Sequence, residues 1–152
     1  ITGKNRRMRA LNASDGGEIW MHQNGCIQPL IGGGDTFIDQ SGYVFNTDTG
    51  KRITTKPLFK RTGCNYAVGG LNLLFLRDSC ASYVDKETKQ KHNLSNLRSG
   101  CSNSLVAADG LLNVPCFSVG CVCNYPIQTS FTMVYRPEMS TWNGNAKATA
   151  KP

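Results

Sequence analysis

The residues in this 152-residue chain with the most readily usable chemistry are its seven cysteines and two histidines. The cysteines are Cys26, Cys64, Cys80, Cys101, Cys116, Cys121 and Cys123. A thiol can attack an electrophile, ligate a metal or pair as a disulfide. Attack needs an imidazole within reach to take the proton. Only His22, four residues before Cys26, is close to a cysteine in sequence, and a surface histidine beside a structural cysteine is the plainer reading. Zinc ribbons and haem attachment both begin from Cys-x-x-Cys, and the chain has only the Cys-x-Cys of Cys121 and Cys123. Cysteines this dense default to oxidised pairs in an extracytoplasmic compartment. Their odd number leaves one thiol free or bonded outside the segment.

Other chemistries find little footing. The acidic residues fall mostly in turn-like stretches, so the facing carboxylates of a hydrolase are not indicated. Gly32-Gly33-Gly34-Asp35 lacks the Lys-Ser/Thr and the helix of a phosphate loop and reads as close strand packing. The net charge of +7 favours an anionic ligand or surface over a cationic one. The basic residues are scattered, and no arginine-rich helix or aromatic-interleaved motif marks a dedicated nucleic-acid site. No run of about 18 apolar residues offers a membrane span, and no signal peptide is visible. The start at Ile1 reads as a processed product or a fragment of something longer. Asn12-Ala13-Ser14 and Asn93-Leu94-Ser95 are glycosylation sequons, a motif that arises often by chance.

The elements that carry these cysteines recur. Gly25-Cys26, Gly63-Cys64 and Gly100-Cys101 are spaced by 38 and 37 residues. Each is followed by an aliphatic residue, then small residues, then a large apolar residue eleven positions after the cysteine: Phe37, Phe75 and Leu112. A period near 40 is a signature of propellers and solenoids. A hairpin recurs as well. Ala10-Leu11-Asn12-Ala13-Ser14-Asp15-Gly16-Gly17-Glu18-Ile19-Trp20 reads as strand, tight turn and strand, with Gly16 at a positive-φ position. Asn46 and Gly50 repeat the design, and Asp85 begins a third copy in which Lys89 replaces the glycine, so that turn is expected to differ. Short strands are expected at Thr36 to Ile38, Leu73 to Leu76, Ser104 to Ala107, Leu111 to Val114 and Ser130 to Tyr135, with no helical periodicity. The fold class is all-β: consecutive four-stranded antiparallel blades of a β-propeller. A β-helix is the second reading, and a helix content under about a tenth is expected against the usual third.

Two stretches carry a resemblance. The first hairpin resembles the repeat of quinoprotein-like (PQQ-binding-like) β-propellers, Ala-x-Asp-x-x-x-Gly-x-x-x-Trp, through Ala10, Gly16 and Trp20, with Asn12 in place of the aspartate. The second copy keeps Gly50 and the third keeps Asp85. Residues 60 to 136 are similar to the closing part of large propeller proteins of planctomycete-type bacteria, above all in Gly120-Cys121-Val122-Cys123-Asn124-Tyr125-Pro126-Ile127-Gln128-Thr129-Ser130.

The resemblance implies that residues 1–136 are the last blades of such a propeller and that 137–152 are a polar tail, with Trp142 able to pin it. It implies blade packing by Trp20, with Gly16 and Gly50 in the turns and Trp20 largely buried between blades. Cys64, Cys101, Cys121 and Cys123 match the closing segment. They read as two structural disulfides that constrain the unfolded chain, with an all-cysteine metal site as the competing reading. Cys-x-Cys on a strand puts both side chains on one face about 7 Å apart, so Cys121 and Cys123 take different partners, in either pairing. Cys80 and Cys116 form a plausible third pair and Cys26 is left over. A quinone site would need a calcium ion, a catalytic acid and a tryptophan floor. That set is not supplied, so neither cofactor nor catalytic residue is assigned. The functional expectation is an extracytoplasmic (periplasmic, cell-surface or secreted), non-catalytic binding or scaffold module. Its partners would be the remaining blades or other protein chains. The alternative is the C-terminal part of a redox or hydrolytic enzyme whose active site lies in other blades.

Overall fold

The computed structural model describes residues 2–3, 7–23, 28–101, 104–116 and 129–134. Cys26, Cys121, Cys123 and Trp142 lie outside them. Every regular element among the described residues is a strand. In chain order these are β1 (Thr2–Gly3), β2 (Arg7–Leu11), β3 (Glu18–His22), β4 (Ile31–Gly33), β5 (Thr36–Ile38), β6 (Val44–Asn46), β7 (Val68–Gly69), β8 (Leu73–Asp78), β9 (Cys80–Asp85), β10 (Lys91–Leu94), β11 (Val106–Ala108), β12 (Leu111–Val114) and β13 (Phe131–Val134). They form four successive antiparallel meanders: β1-β2-β3, β4-β5-β6, β7-β8-β9-β10 and β11-β12-β13. Among the described residues strands pair only with sequence neighbours, the arrangement that short turns impose. Four strands per sheet were expected. Only the third sheet has four described strands; in the second, the fourth place is held by the single bridge Phe45↔Arg52.

The outer turn of the first three sheets has one geometry. The Asn12 carbonyl accepts from Gly16 N–H, and the Asn12 N–H donates to the Gly17 carbonyl. Asn46 does the same with Gly50 and Lys51, and Asp85 with Lys89 and Gln90. The side-chain oxygen of the first residue accepts a nearby N–H: Ser14 to Asn12 (3.0 Å), Thr49 to Asn46 (2.9 Å) and Thr88 to Asp85 (2.8 Å). Asn and Asp begin such turns because their short side chains reach the backbone two or three residues on. The fifth residue must enter the left-handed region, where Gly16 has φ 76° and Gly50 φ 65°. Lys89 takes the same place at φ 60°. The third turn therefore does not differ, contrary to the expectation, because the hydrogen bonds of Asp85 hold the lysine where a glycine would sit. Its cost sets a test. Lys89→Gly is expected to raise stability by about 1 kcal/mol, the scale of the left-handed penalty for a residue with a Cβ, read from the midpoint of urea unfolding.

Strand alternation builds the stack. In the second sheet Phe37 and Phe45 pair and point one way, while Ile31, Ile38 and Val44 pair and point the other. Phe37 stacks on Trp20 of the first sheet at 6.0 Å and on Phe45 at 5.1 Å. Ile31 and Ile38 enter an apolar layer with Leu74, Leu76 and Val84 of the third sheet, sealed by Phe59 and Ala67. On the third sheet's other side, Phe75 and Ala81 pack with Leu105 and with Val114 of the fourth. The third sheet is thus covered on both faces, and β8 reads as a continuous apolar run for that reason.

Two-residue turns at 34–35, 71–72 and 109–110 align the sheets. By that alignment Phe37 corresponds to Leu74 and to Leu112, and all three face the preceding sheet. The position eleven after Cys64 is Phe75, which faces the following sheet. The copy that begins at Gly63-Cys64 therefore runs one residue out of phase with the other two, and a one-residue slip exchanges the faces of a strand.

Candidate binding site

Trp20 sits at the junction of the first and second sheets, half-buried rather than largely buried. Its indole N–H donates to the Thr47 carbonyl at 2.8 Å. A Cβ on Gly50 would lie 2.6 Å from both the Trp20 and the His22 rings, so this glycine gives the two rings their seat. Gly16 has open space around its Cβ position and serves its turn through φ alone. His22 is 3.3 Å from the Thr49 carbonyl and 5.3 Å from the Trp20 ring, and its proposed partner Cys26 is outside the described residues. His92 stacks on Tyr83 at 4.9 Å.

Gly63 and Cys101 meet at one buried side chain. The Arg77 guanidinium lies against Gly63 and donates to Cys101 Sγ at 3.5 Å. Two of the Gly-Cys motifs therefore flank Arg77. Cys64 is exposed, whereas Cys80 and Cys116 are buried thiols. The expected Cys80–Cys116 bond is not formed among the described residues. Cys80 instead lies 3.9 Å from the Ser82 hydroxyl, and Cys116 uses its backbone N–H on Ser130 Oγ. The bonds expected from Cys64 and Cys101 end on Cys121 and Cys123, outside the described residues. Among the described residues no three His, Cys, Asp or Glu side chains gather as a metal site would require.

A polar network that the sequence did not announce joins the second sheet to the third. The Gln40 side chain accepts from Ala67 N–H at 2.8 Å and donates to the carbonyls of Ala67 and Pro29, both at 3.0 Å. Its amide copies a strand's donor and acceptor, which satisfies backbone groups buried at the junction. Arg61 caps the same region by donating to the Gln40 and Asn65 carbonyls and to the Gln28 side chain. These groups are saturated by one another and present little to a ligand.

The carboxylate of Asp85 is displaced from its ordinary titration range. The Thr88 N–H holds it below the ordinary aspartate range; desolvation opposes the shift, and the Glu87 N–H, the Thr88 hydroxyl and the charge of His92 add to it. A depressed folded pKa means stability that is present above the unfolded value of about 3.9 and is lost as pH falls through the lower folded value. Asp85→Asn, which restores the residue type of positions 12 and 46, is expected to keep the turn and flatten the acid limb of stability. Urea midpoints from pH 2 to 6 would show it, and an unchanged acid limb would place the sensitivity elsewhere.

Two cavities stand out. One of about 530 Å³ lies between the first two sheets, lined by Met8, His22, Asp39 and Tyr43, with Arg52 over the Tyr43 ring at 4.9 Å. The other, about 620 Å³, is an open apolar groove between the third and fourth sheets. Its walls include Leu73, Tyr83, Leu94, Leu112 and Met133, and Asp109 is the only charged residue lining it among the described residues. Leu71, 90% exposed at the hairpin tip, overhangs it. β11 lines the groove too, and among the described residues it pairs on one side only, with β12. Sequence reasoning missed this site. Its one visible signal was Leu71, an apolar residue in a turn otherwise built of Gly70 and Asn72.

Compared with known proteins, the sequence matches no family model and no curated protein. Among solved structures it is similar to the crystal structure of BamB from Moraxella catarrhalis, at 17% identity and a TM-score of 0.49. The match covers 72% of this chain and 37% of that one, so the chain spans little more than a third of that structure's length.

Proposed function

We propose that this chain is a non-catalytic, propeller-type module that binds an extended segment of another protein in the groove between its third and fourth sheets. The observation that carries this reading is the juxtaposition of an apolar groove with the free edge of β11. An edge strand offers unpaired N–H and C=O groups to an added strand, and alternate side chains of that strand then fall into the groove. Four consecutive meanders stacked face on face support the propeller part of the reading. The high cysteine count supports an oxidising, extracytoplasmic setting.

The test uses a displayed library of short random peptides. Selection is expected to yield apolar, β-prone sequences that bind the wild-type chain and lose binding at least tenfold to Leu71→Asp or Met133→Asp. Failure to select any such peptide, or equal binding to both variants, would overturn the site. Cleavage or oxidation of the bound peptide would instead support the enzyme alternative.

The same reading assigns residues 1–136 to the sheets and 137–152 to a tail, and assigns Cys64 and Cys101 to disulfides with Cys121 and Cys123. The convergence of Gly63 and Cys101 on Arg77 supports the staple, because it brings the two motifs to one place. Non-reducing peptide mapping is expected to recover both bonds; four free thiols, or stoichiometric zinc, would refute them.

A further inference from the structure

The net charge of the chain is unevenly placed. Residues 49–77 hold six lysines and arginines and no aspartate or glutamate, so they carry +6 of the net +7. Lys51 and Arg52, the first two of the six, line the cleft between the first and second sheets. Among the described residues neither is in an ion pair. The outer turn from Asn46 to Gly50 brings them there, and the Phe45↔Arg52 bridge holds the returning chain beside β6. The Arg52 guanidinium lies over the Tyr43 ring at 4.9 Å, a contact that keeps it at the cleft wall and leaves its N–H groups without a hydrogen bond among the described residues. Asp39 is the one carboxylate lining the cleft among those residues, and it is buried. Its Oδ1 accepts from the N–H groups of Ser41 and Tyr43 at 3.0 and 2.9 Å, and its other oxygen has no partner among the described residues. Met8 and Phe45 supply an apolar wall.

We propose that this cleft binds a sugar ring that carries a carboxylate. Its volume of about 530 Å³ is that of a small-molecule site. Each part of such a ligand meets a group already in place. The carboxylate meets Arg52, whose planar fork can donate two parallel hydrogen bonds, with Lys51 beside it. A ring hydroxyl donates to the open oxygen of Asp39, and the C–H face of the ring covers the apolar wall. Other anions answer only part of the site. An inorganic anion leaves Met8 and Phe45 wet. A flat aromatic acid offers Asp39 no donor and sets an apolar edge against a buried charge, which is unfavourable. An ammonium group would suit Asp39 less than a hydroxyl does, because two turn N–H groups already share its charge. The acid-free run from 49 to 77 adds a positive field that draws the anion in. The site is separate from the apolar groove and needs only the junction of the first two sheets.

Amide NMR of the full chain, titrated with galacturonate, tests this. Shifts are expected on both walls of the cleft, at His22 and Gln23 of the first sheet and at Tyr43 and Arg52 of the second. Galactose, acetate and benzoate should each bind at least about tenfold more weakly, the scale of one hydrogen bond to a charged group. Arg52→Met and Lys51→Met should each weaken galacturonate by a similar factor. Lys56→Met removes one charge of the same run outside the cleft and should change binding by about twofold at most, because a solvated charge there is screened. Trigalacturonate distinguishes the source of the sugar: tighter binding than the monomer indicates a saccharide chain, equal binding a free sugar acid, and either upholds the site. No shift at ~100 mM galacturonate, a level that saturates any site with a Kd below about 10 mM, would overturn the proposal. So would acetate or benzoate binding as well as galacturonate, or Lys56→Met weakening it as much as Arg52→Met, since both mean a diffuse cationic surface. Loss of galacturonate binding leaves peptide binding in the groove untouched, so the two sites fail separately.

Discussion

Leu74→Ala is expected to destabilise the chain by about 3–4 kcal/mol, within the range for leucine truncation in packed cores. Leu74 has no exposed surface. It stands in the layer between the second and third sheets with Ile31, Ile38 and Val84, and Val84 is its partner across β8 and β9. The truncated methyls leave a cavity walled by strands whose backbone hydrogen bonds prevent collapse, so both the transfer and the cavity penalties apply in full. Urea unfolding gives the measurement, with Leu71→Ala as its control. Leu71 is 90% exposed and its truncation should fall within about 0.5 kcal/mol of neutral. A loss below about 1 kcal/mol for Leu74→Ala would mean that the second and third sheets do not pack as described.

Gly42→Ala comes next, at about 3 kcal/mol. Asp39 organises its turn: the Asp39 carboxylate accepts from the N–H groups of Ser41 (3.0 Å) and Tyr43 (2.9 Å), and its carbonyl accepts from Gly42 N–H at 3.0 Å. Gly42 sits at φ 88° and its carbonyl accepts from Leu58 N–H at 2.8 Å, so the segment carrying Phe59 lies directly on it. A Cβ would fall 2.6 Å from the Phe59 carbonyl oxygen and 3.0 Å from its nitrogen. Backbone atoms cannot swing away as a side-chain tip can. The strain of a left-handed residue, about 1–2 kcal/mol, therefore adds to an overpacking term of about 1–3 kcal/mol. Gly16→Ala carries only the first term, because its Cβ would meet nothing within 4 Å. Equal midpoint losses for the two variants would show that the close approach of Phe59 is not present in solution.

The contrast between these glycines marks what the sequence could disclose. The outer turns were legible because Asn12, Asn46 and Asp85 act on residues two to five positions away, and a local rule needs only local sequence. Gly42 has a local signal in Asp39, three residues before it, but its intolerance of a side chain is fixed by Phe59, 17 residues on. The Gly-Cys repeat was visible as a period, and it does precede the first strand of the third and fourth sheets. Its apolar phase misled, since counting eleven residues from Cys64 reaches Phe75 when Leu74 is the structural counterpart of Phe37. With side chains alternating every residue, one shortened connection sends the matched position to the opposite face. Lys89 misled in the other direction, because a missing glycine was read as a turn of different geometry. The groove was illegible because its walls belong to two sheets, each of whose residues reads as ordinary strand interior. The candidate site thus came from packing between units, and the fold class from patterns within them.

The pairing of every strand with its sequence neighbour has a further consequence, for the order in which the molecule opens. Among the described residues no strand ladder runs from one sheet to another, and the sheets meet through their junction layers, so cooperativity passes along the stack one neighbour at a time, as in other one-dimensional arrays. Among the described residues the third sheet has a neighbour on each face, and the first and fourth have one. Amide exchange should therefore be slowest in β8 and β9, whose opening requires both junctions to part, and should quicken toward β2 and β13, where a terminal sheet can detach at the cost of one. Unfolding would then proceed from the ends inward, through species that keep the second and third sheets joined around Leu74 after the outer two have peeled away.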